Sequence, residues 1–161
     1  MEWSEICQNP YLKNLPFKIQ SDKWGNILMS PASNEHGIYQ ANIVRLIARL
    51  KADAMIITEC SIQTPEGVKV ADVACASAEF MRRNRGGNPY RQAPEVCVEI
   101  LSPSNTLQEM DEKKALYFAA GAEEVWLCGA DGEMVFFRAD GRVEVSGVVP
   151  GFPGRVELYW F

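Results

Sequence analysis

The sequence predicts an α/β (α+β) protein: a mixed β-sheet with flanking helices and an antiparallel hairpin near the C-terminus. Two segments have helical periodicity, at about 34–51 and 106–120, and each is followed by short apolar runs that are typical of strands. Asp-Gly pairs at 131–132 and 140–141 separate later apolar runs, which favours hairpin turns. The order of helix, strands, helix and strands is typical of a mixed sheet that helices cover.

The segment before the first helix is predicted to begin without regular structure, because Pro10 and Pro16 limit it. Two short strands follow at about 17–20 and 26–30, joined by the turn-forming residues between them. Pro31 is expected to end the second strand, since proline cannot donate a hydrogen bond to a sheet ladder.

The first helix is predicted to begin after Ser33 and Asn34, which are good N-cap residues, with Glu35 in its first turn. His36, the only histidine of the chain, is expected to serve in packing or hydrogen bonding at this helix start. The helix should end at about Lys51, with an apolar face formed by Tyr39, Ile43, Leu46, Ile47 and Leu50.

The middle of the chain is predicted to form a hairpin and then a central strand. The hairpin strands are 54–61 and 68–76, with a turn at 64–67 between them. The central strand is 96–101, and a buried strand at 124–128 follows the second helix. Further strands are expected at 134–138, 143–145 and 156–160.

The second helix is predicted to be capped near Thr106 and to end before Gly121. Lys113 and Lys114 flank its apolar stripe equally, so the helical period cannot choose between them. A lysine that leans toward the core could orient a water molecule or stabilise negative charge. The alternative is a lysine with a buried stem and a solvated ammonium. The apolar stripe itself is Leu107, Met110 and Tyr117.

Length and composition are those of one ordinary globular domain over residues 1–161, with 47% hydrophobic and 23% charged residues. No apolar run reaches the roughly 20 residues of a membrane span, and no secretory signal is evident. No phosphate-binding glycine motif indicates a nucleotide cofactor. We expect a cytoplasmic protein with reduced cysteines in its core, at Cys60, Cys75, Cys97 and Cys128.

Two carboxylates stand in apolar, strand-like surroundings, Asp72 in the run 68–75 and Glu99 in the run 93–104. An unpaired charge at such a place costs several kcal/mol, so each acid needs a partner. Two acids on separate strands could hold Mg²⁺ or Mn²⁺, which prefer carboxylate oxygens and water. The alternative is that each acid simply pairs with an Arg or Lys, and without further evidence that alternative is favoured.

A basic segment at 80–91 lies between the two acidic strands and contains no acid. It is interpreted as a phosphate-contacting loop, and the alternative is a solvated surface loop whose cations offset nearby acids. The formal net charge of −5 argues against a protein that coats nucleic acid by bulk electrostatics. The basic residues of the segment are Arg82, Arg83, Arg85 and Arg91.

Several motifs in order resemble one known family. They are PEVCVEILSPSN at 94–105, DEKKALY at 111–117, AG at 120–121 and EVWL at 124–127. The likeness extends to GNILMSP at 25–31, EH at 35–36, ADV at 71–73 and PGFP at 150–153, and so covers nearly the whole chain. The chain is therefore similar to the Uma-type family of restriction endonucleases, which belongs to the PD-(D/E)XK nuclease superfamily.

The resemblance implies a restriction-endonuclease-like core with one metal site at the sheet. Asp72 matches the first acid of the family, although Ala71 stands in place of its proline, and Glu99 matches the second acid. Lys113 matches the helix lysine, because it precedes Tyr117 by four residues. Glu35 and Gln40, on the first helix, are weaker candidates.

One departure concerns the lysine that the superfamily places two residues after the second acid, where this chain has Leu101. Either Lys113 or Lys114 replaces it from the helix, or the protein binds without cleaving. We therefore expect a Mg²⁺- or Mn²⁺-dependent endonuclease that acts on DNA. The alternative is a catalytically impaired nuclease fold that serves as a nucleic-acid-binding or protein-interaction module.

A homodimer is also expected, because cleavage of a duplex needs two sites. Its interface could use Phe136 or Phe137, which are predicted to be exposed on the late hairpin. The aromatic C-terminal residues 159–161 are the other candidate surface.

Overall fold

A six-stranded mixed sheet with helices packed against it forms the centre of the fold, which confirms the predicted class. The computed structural model describes residues 1–159 and 161. The helices in these residues are α1 (Trp3–Gln8), α2 (Asn34–Leu50), α3 (Ala78–Arg83) and α4 (Leu107–Ala119). The strands are β1 (Phe17–Ser21), β2 (Ile27–Pro31), β3 (Met55–Thr64), β4 (Gly67–Ala76), β5 (Val96–Ile100), β6 (Glu124–Cys128), β7 (Met134–Arg138) and β8 (Gly141–Val143).

The order of strands in the large sheet is β3-β4-β5-β6-β7-β8. Strands β5 and β6 are parallel, whereas every other neighbouring pair in the sheet is antiparallel. A parallel pair needs a crossover connection, and α4 lies in the connection between β5 and β6. Strands β1 and β2 form a separate antiparallel hairpin, which we call the N-terminal hairpin.

The two long helices begin where their capping residues predict. The Ser33 hydroxyl accepts a hydrogen bond from the His36 N–H at 3.1 Å and caps α2. Thr106 and Glu109 form a reciprocal capping box at the start of α4. Each cap satisfies backbone N–H groups that have no partner inside the helix, so these local signals determine both helix starts.

The core has two faces, one on each side of the sheet. The first cluster packs against α2 and includes Trp126, Phe136 and Phe152, whose rings contact one another. The second cluster lies on the side of α4 and includes Tyr117 and Cys97. Along β5, side chains alternate between the two clusters. Glu99 is in phase with Cys97 and therefore faces α4.

Two predictions about the ends of the chain are wrong. The opening residues form α1, which has its own capping box between Glu2 and Glu5. Pro31 does end β2, as expected, and it is itself the last residue of the strand, a place where its missing N–H is tolerated. The predicted strand at 156–160 is absent from the described residues 156–159, and Trp160 lies outside the described residues. Val156 instead packs into the first cluster.

Other segments also differ from expectation. The basic segment begins within α3, which Ser77 caps, so its first two arginines lie on a helix. Leu107 is 81% exposed rather than part of an apolar stripe, whereas Met110 and Tyr117 of the same predicted stripe are buried. Phe136 is buried against Trp126, so it cannot belong to an exposed interface. The first strand of the late hairpin lies where it was predicted, but its second strand, β8 at Gly141–Val143, lies two residues earlier than the predicted 143–145.

The cysteines behave as predicted. All five are free thiols, and Cys60, Cys75, Cys97 and Cys128 are buried. Burial raises the pKa of the Cys60 thiol to about 12, so it remains protonated at neutral pH.

None of the helices in the described residues combines the length and the apolar character that a membrane crossing requires.

Candidate active site

The two predicted acids meet side by side at the end of a strand pairing. Strands β4 and β5 pair from Val73↔Val98 to Cys75↔Val96, and one further step of this register puts Asp72 opposite Glu99. At this point the Asp72 carboxylate accepts a hydrogen bond from the backbone N–H of Ile100 at 2.7 Å. The side chain thus occupies the place where the backbone ladder ends. Both acids are buried.

Asp72 has cationic or donor groups on both of its oxygens. Lys18 Nζ lies 2.6 Å from Oδ1, and His36 Nε2 lies 3.3 Å from Oδ2. Burial by itself would raise the pKa of this carboxyl group, but His36 and Lys18 lower the pKa below its ordinary value. The group is therefore a carboxylate at neutral pH.

Glu99 is held in the same way from α4. Lys113 Nζ lies 2.9 Å from Oε2, and the Tyr117 hydroxyl donates a hydrogen bond to Oε1 at 2.6 Å. Lys18 Nζ is 3.8 Å from Oε2, so this one ammonium contacts both acids. Burial, then the nearby Glu99 carboxylate, raises the pKa of Tyr117 well above its ordinary value, and its hydroxyl remains a proton donor.

The charges of the neighbouring cations follow from the acid pair. Burial would lower the pKa of Lys18, but Glu99 and Asp72 together raise its pKa above the ordinary value. Contact with Asp72 raises the pKa of His36 as well. The site therefore consists of two buried carboxylates and two ammonium groups, with a histidine whose positive form is favoured.

The N-terminal hairpin delivers Lys18 by packing on β4. Beyond the end of β5, Gln20 Oε1 accepts the Val70 N–H at 3.1 Å, and Ser21 Oγ accepts the Val68 N–H at 2.9 Å. Side chains two residues apart on a strand face the same way, so Lys18 follows Gln20 toward β4. Because β1 and β4 run in opposite directions here, Lys18, two residues before Gln20, reaches Asp72, two residues after Val70.

Helix α2 contributes Gln40 and His36, which are one turn apart on the same face. Gln40 Nε2 donates to the carbonyl oxygen of Asp72 at 2.8 Å and to Glu59 Oε1 at 2.9 Å. Glu59 has a φ of 52°, a left-handed conformation that is uncommon for a residue other than glycine. The register between β3 and β4 places Glu59 opposite Asp72, but these two residues do not pair, although their neighbours on both sides do. The sheet is therefore locally distorted beside the acid pair.

These side chains line a cavity of about 1170 Å³ between the N-terminal hairpin, α2 and α4. Phe17 and Leu28 of the hairpin form part of one apolar wall, and Leu116 contributes from α4. The rim is acidic. Beside the acid pair it carries Asp22, Glu59, Glu66, Glu109 and Glu112, whereas the lysines in the lining are Lys18, Lys69 and Lys113.

The structure brings Asp72, Glu99, Lys113 and Gln40 together in this cavity. Glu35 is exposed and does not line it. Lys114, the other lysine candidate, points elsewhere: its Nζ lies 2.9 Å from Asp111 and 3.9 Å from the centre of the Phe137 ring.

The four arginines do not line the cavity. The Ser77 N–H before α3 donates to Glu95 at 3.0 Å, which holds this segment beside the start of β5. Glu99 is four residues further along, about 13 Å at the rise of an extended strand. All four are exposed: Arg82, Arg83, Arg85 and Arg91.

Sequence reasoning missed Lys18, Tyr117 as a donor to Glu99, and His36 as a neighbour of Asp72. A signal existed for His36 and Gln40, since residues four apart share one helix face. The alternation of Lys18 and Gln20 on one strand face was a second signal. This second signal was not sufficient by itself, because the residues of a short hairpin do not indicate which other strand the hairpin packs against.

The donor set suits a cation, although it is small. Within residues 1–159 and 161, no group of three or more His, Cys, Asp or Glu side chains is arranged to hold a metal ion. However, the Lys18 ammonium lies within 4 Å of both Asp72 and Glu99, so the acid pair already holds a shared positive charge. Mg²⁺ commonly uses one or two carboxylates and completes its shell with water, so two acids are sufficient.

The Tyr117 hydroxyl gives a test of how much the site depends on α4. We expect Tyr117→Phe to lower the free energy of unfolding by about 1.5–3 kcal/mol, because a buried hydrogen bond to a carboxylate is lost. Tyr39→Phe is the matched control, since Tyr39 is also buried but donates to the Ala130 carbonyl at 3.3 Å. Its expected loss in urea denaturation is below about 1 kcal/mol. Equal losses in the two variants would contradict the assigned role of Tyr117.

The chain is similar to a known protein family and to a solved structure. Residues 24–152 match the model of the family Uma2, described as "Putative restriction endonuclease". The chain is also similar to a crystal structure described as "a putative nuclease belonging to DUF820" from Anabaena variabilis, with 16% identity and a TM-score of 0.72. That match covers 98% of this chain and 95% of the other, and at this identity it bears on the fold alone. A search of curated proteins found no match.

Proposed function

The chain belongs to the Uma2 family, and from that membership we propose that it is a metal-dependent endonuclease that hydrolyses phosphodiester bonds of DNA. The observation that carries the proposal is the pair of buried carboxylates, Asp72 and Glu99, at the end of one strand pairing with a lysine on each. The pair lines a cavity of about 1170 Å³, to which the proposal assigns a strand of nucleic acid.

Asp72 and Glu99 are the residues that would hold Mg²⁺ or Mn²⁺. Such an ion, when bound, supplies Lewis-acid polarisation of the phosphate and lowers the pKa of a bound water. Ile100 and Tyr117 keep the two carboxylates in place by hydrogen bonds at 2.7 Å and 2.6 Å. This orientation matters because a metal ligand must be positioned by its own partners.

Lys113 takes the role that Leu101 cannot fill. Its ammonium lies 2.9 Å from Glu99 and belongs to a helix that a capping box fixes at its start. From there it can orient a water molecule and stabilise the negative charge that develops on the phosphate. Leu101 itself does not line the cavity. A lysine from α4 can therefore reach the acid pair although the position two residues after Glu99 carries no lysine.

DNA contacts outside the cavity belong to the same proposal. The exposed arginines on and after α3 are candidates for phosphate contacts, because they present positive charge outside the acidic cavity. Arg83 also pairs with Glu79 on the same helix. For a homodimer, Tyr159 and Phe161 offer exposed aromatic surface, whereas Phe137 is partly covered by Lys114. The free thiols suit a reducing compartment such as the cytoplasm.

A second candidate function is a nuclease fold that binds without cleaving. Its favouring observation is that protein donors already contact the oxygens of both acids, in a cavity whose rim is acidic. In that case the ion pairs would be structural, and the protein would bind nucleic acid or a protein partner elsewhere. The two candidates differ in whether added metal and the helix lysine have any effect on DNA.

A plasmid-nicking assay with Mg²⁺ or Mn²⁺ tests the proposal directly. We expect Lys113→Ala to reduce the nicking rate about 10²-fold, because the variant removes a charge next to the acid pair. Lys114→Ala is the matched control, since Lys114 pairs with Asp111 instead, and its rate should stay within about twofold. Equal rates in the wild type and both variants would remove lysine from the mechanism. An inactive wild type in both metals would favour the second candidate.

A further inference from the structure

Lys18 is the cation that holds the acid pair together. Among the described residues, its ammonium alone lies within 4 Å of both carboxylates, at 2.6 Å from Asp72 and 3.8 Å from Glu99. Its side chain is 12% exposed, so water screens little of this attraction. Two neighbouring buried carboxylates repel each other strongly unless a cation lies between them. Lys18 therefore occupies the position that a shared divalent ion would take.

The position of Lys18 in the chain separates it from the family pattern. The family match covers residues 24–152, so Lys18 precedes it. It enters the site on β1, which is held to β4 by Gln20 and Ser21. This anchoring fixes the backbone of β1, but the long side chain of Lys18 retains freedom to turn into the adjoining cavity, which it also lines.

We propose that Lys18 is a resident counter-ion of the acid pair, which occupies the metal position in the metal-free protein and turns aside when a divalent ion binds. This inference rests on the proposed function, because it takes Asp72 and Glu99 as the metal ligands. The ammonium competes with the metal for the same two carboxylates. It therefore lowers metal affinity and keeps the buried acids neutralised while the metal is absent.

Titration calorimetry of the full chain with MnCl₂ alone tests this proposal. We expect Lys18→Met to raise the affinity for Mn²⁺ at least about tenfold, because the competing charge is lost while the length of the side chain is kept. Lys69→Met is the matched control: Lys69 lines the same cavity but donates to the Ser21 carbonyl at 3.2 Å. Its affinity should change by less than about threefold, which measures the general effect of cavity charge.

Thermal denaturation provides a readout that does not depend on catalysis. In EDTA, Lys18→Met should melt below the wild type, because the two acids then face each other without a shared cation. Saturating Mn²⁺ should raise the melting temperature of the variant by more than that of the wild type. Lys18→Gln, which keeps a polar group at this position, serves as the second variant if Lys18→Met does not fold.

The outcomes separate the two proposals. If the wild type binds Mn²⁺ through Asp72, as loss of binding in Asp72→Asn would show, and the Lys18 variants bind equally or more weakly, the counter-ion role is overturned and the metal site stands. If neither the wild type nor the Lys18 variants bind Mn²⁺, both proposals fall. Binding that appears only in the Lys18 variants, and is lost when Asp72→Asn is added, supports a counter-ion that excludes the metal.

Discussion

Replacing Asp72 by Asn is expected to lower the plasmid-nicking rate about 10²–10³-fold and to abolish measurable Mn²⁺ binding, and Glu99→Gln should do the same. A metal ion contributes several kcal/mol of transition-state stabilisation, and each 1.4 kcal/mol corresponds to a factor of ten in rate. An amide has the shape of the carboxylate but lacks its charge, so it keeps the cavity and loses the cation. The two variants should lose activity to the same extent, because both carboxylates face the same cation position, which the Lys18 ammonium now contacts.

The matched control for these variants is Asp111→Asn. Asp111 is an exposed acid on the same helix as Lys113, and it pairs with Lys114 at the surface. Its nicking rate and its metal affinity should stay within about twofold of the wild type. Circular dichroism and melting temperature would confirm that each variant is folded. Unchanged metal affinity in Asp72→Asn and Glu99→Gln, with folding intact, would refute the assignment of these acids as ligands.

A second large effect is expected at Glu124, which does not line the cavity of the proposed chemistry. Its carboxylate is completely buried and accepts hydrogen bonds from the Trp126 indole at 2.8 Å, the Ser146 hydroxyl at 2.6 Å and the Gly147 N–H at 2.7 Å. The Val148 N–H adds a fourth contact at 3.2 Å. One side chain thus fastens the loop after β8 to the start of β6.

We expect Glu124→Ala to lower the free energy of unfolding by about 3–4 kcal/mol in urea denaturation. Several buried donors lose their acceptor at once, and each unsatisfied group costs about 1–3 kcal/mol unless water enters. Glu124→Gln should cost less, because one amide oxygen still accepts, although its NH₂ group faces other donors.

Glu123→Ala is the control that the chain itself offers. Glu123 precedes Glu124 and is exposed, so its substitution should change the free energy of unfolding by no more than about 0.5 kcal/mol. A loss in Glu124→Ala as small as the loss in Glu123→Ala would mean that water replaces the carboxylate without penalty.

Much of the fold was predictable because its signals are local. The caps at Ser33 and Thr106 determine where α2 and α4 begin. The first Asp-Gly pair precedes β7, and the second leads into β8, whose first residue is Gly141. The acid pair was predictable too, because a carboxylate in an apolar strand is conspicuous. The geometry then distinguishes the two helix lysines, which the helical period left equivalent: Lys113 contacts Glu99, and Lys114 contacts Phe137. Their catalytic roles remain predictions.

The rest depended on contacts between distant parts of the chain. Lys18 and Asp72 are 54 residues apart, and nothing in the sequence around either residue predicts that they meet. The strand expected at 156–160 is not formed by the described residues 156–159, for a related reason. Its apolar residues suit a strand, but Val156 packs into the core as irregular chain. The short α1 was missed because Pro10 and Pro16 dominated the interpretation of that segment.

The attachment of the N-terminal hairpin to β4 restricts how the cavity can open. Swinging the hairpin away as a lid would remove partners from the buried amides of Val68 and Val70 and from the carboxylate of Asp72 in a single motion. The packing of Gly67 on the hairpin also opposes this motion. Gly67 lies so close to the backbone of Asp22 that an added Cβ would be 2.4 Å from the Asp22 carbonyl oxygen. If the cavity is the active site that we propose, a substrate would therefore be expected to enter past side chains at the rim rather than under a lifted hairpin.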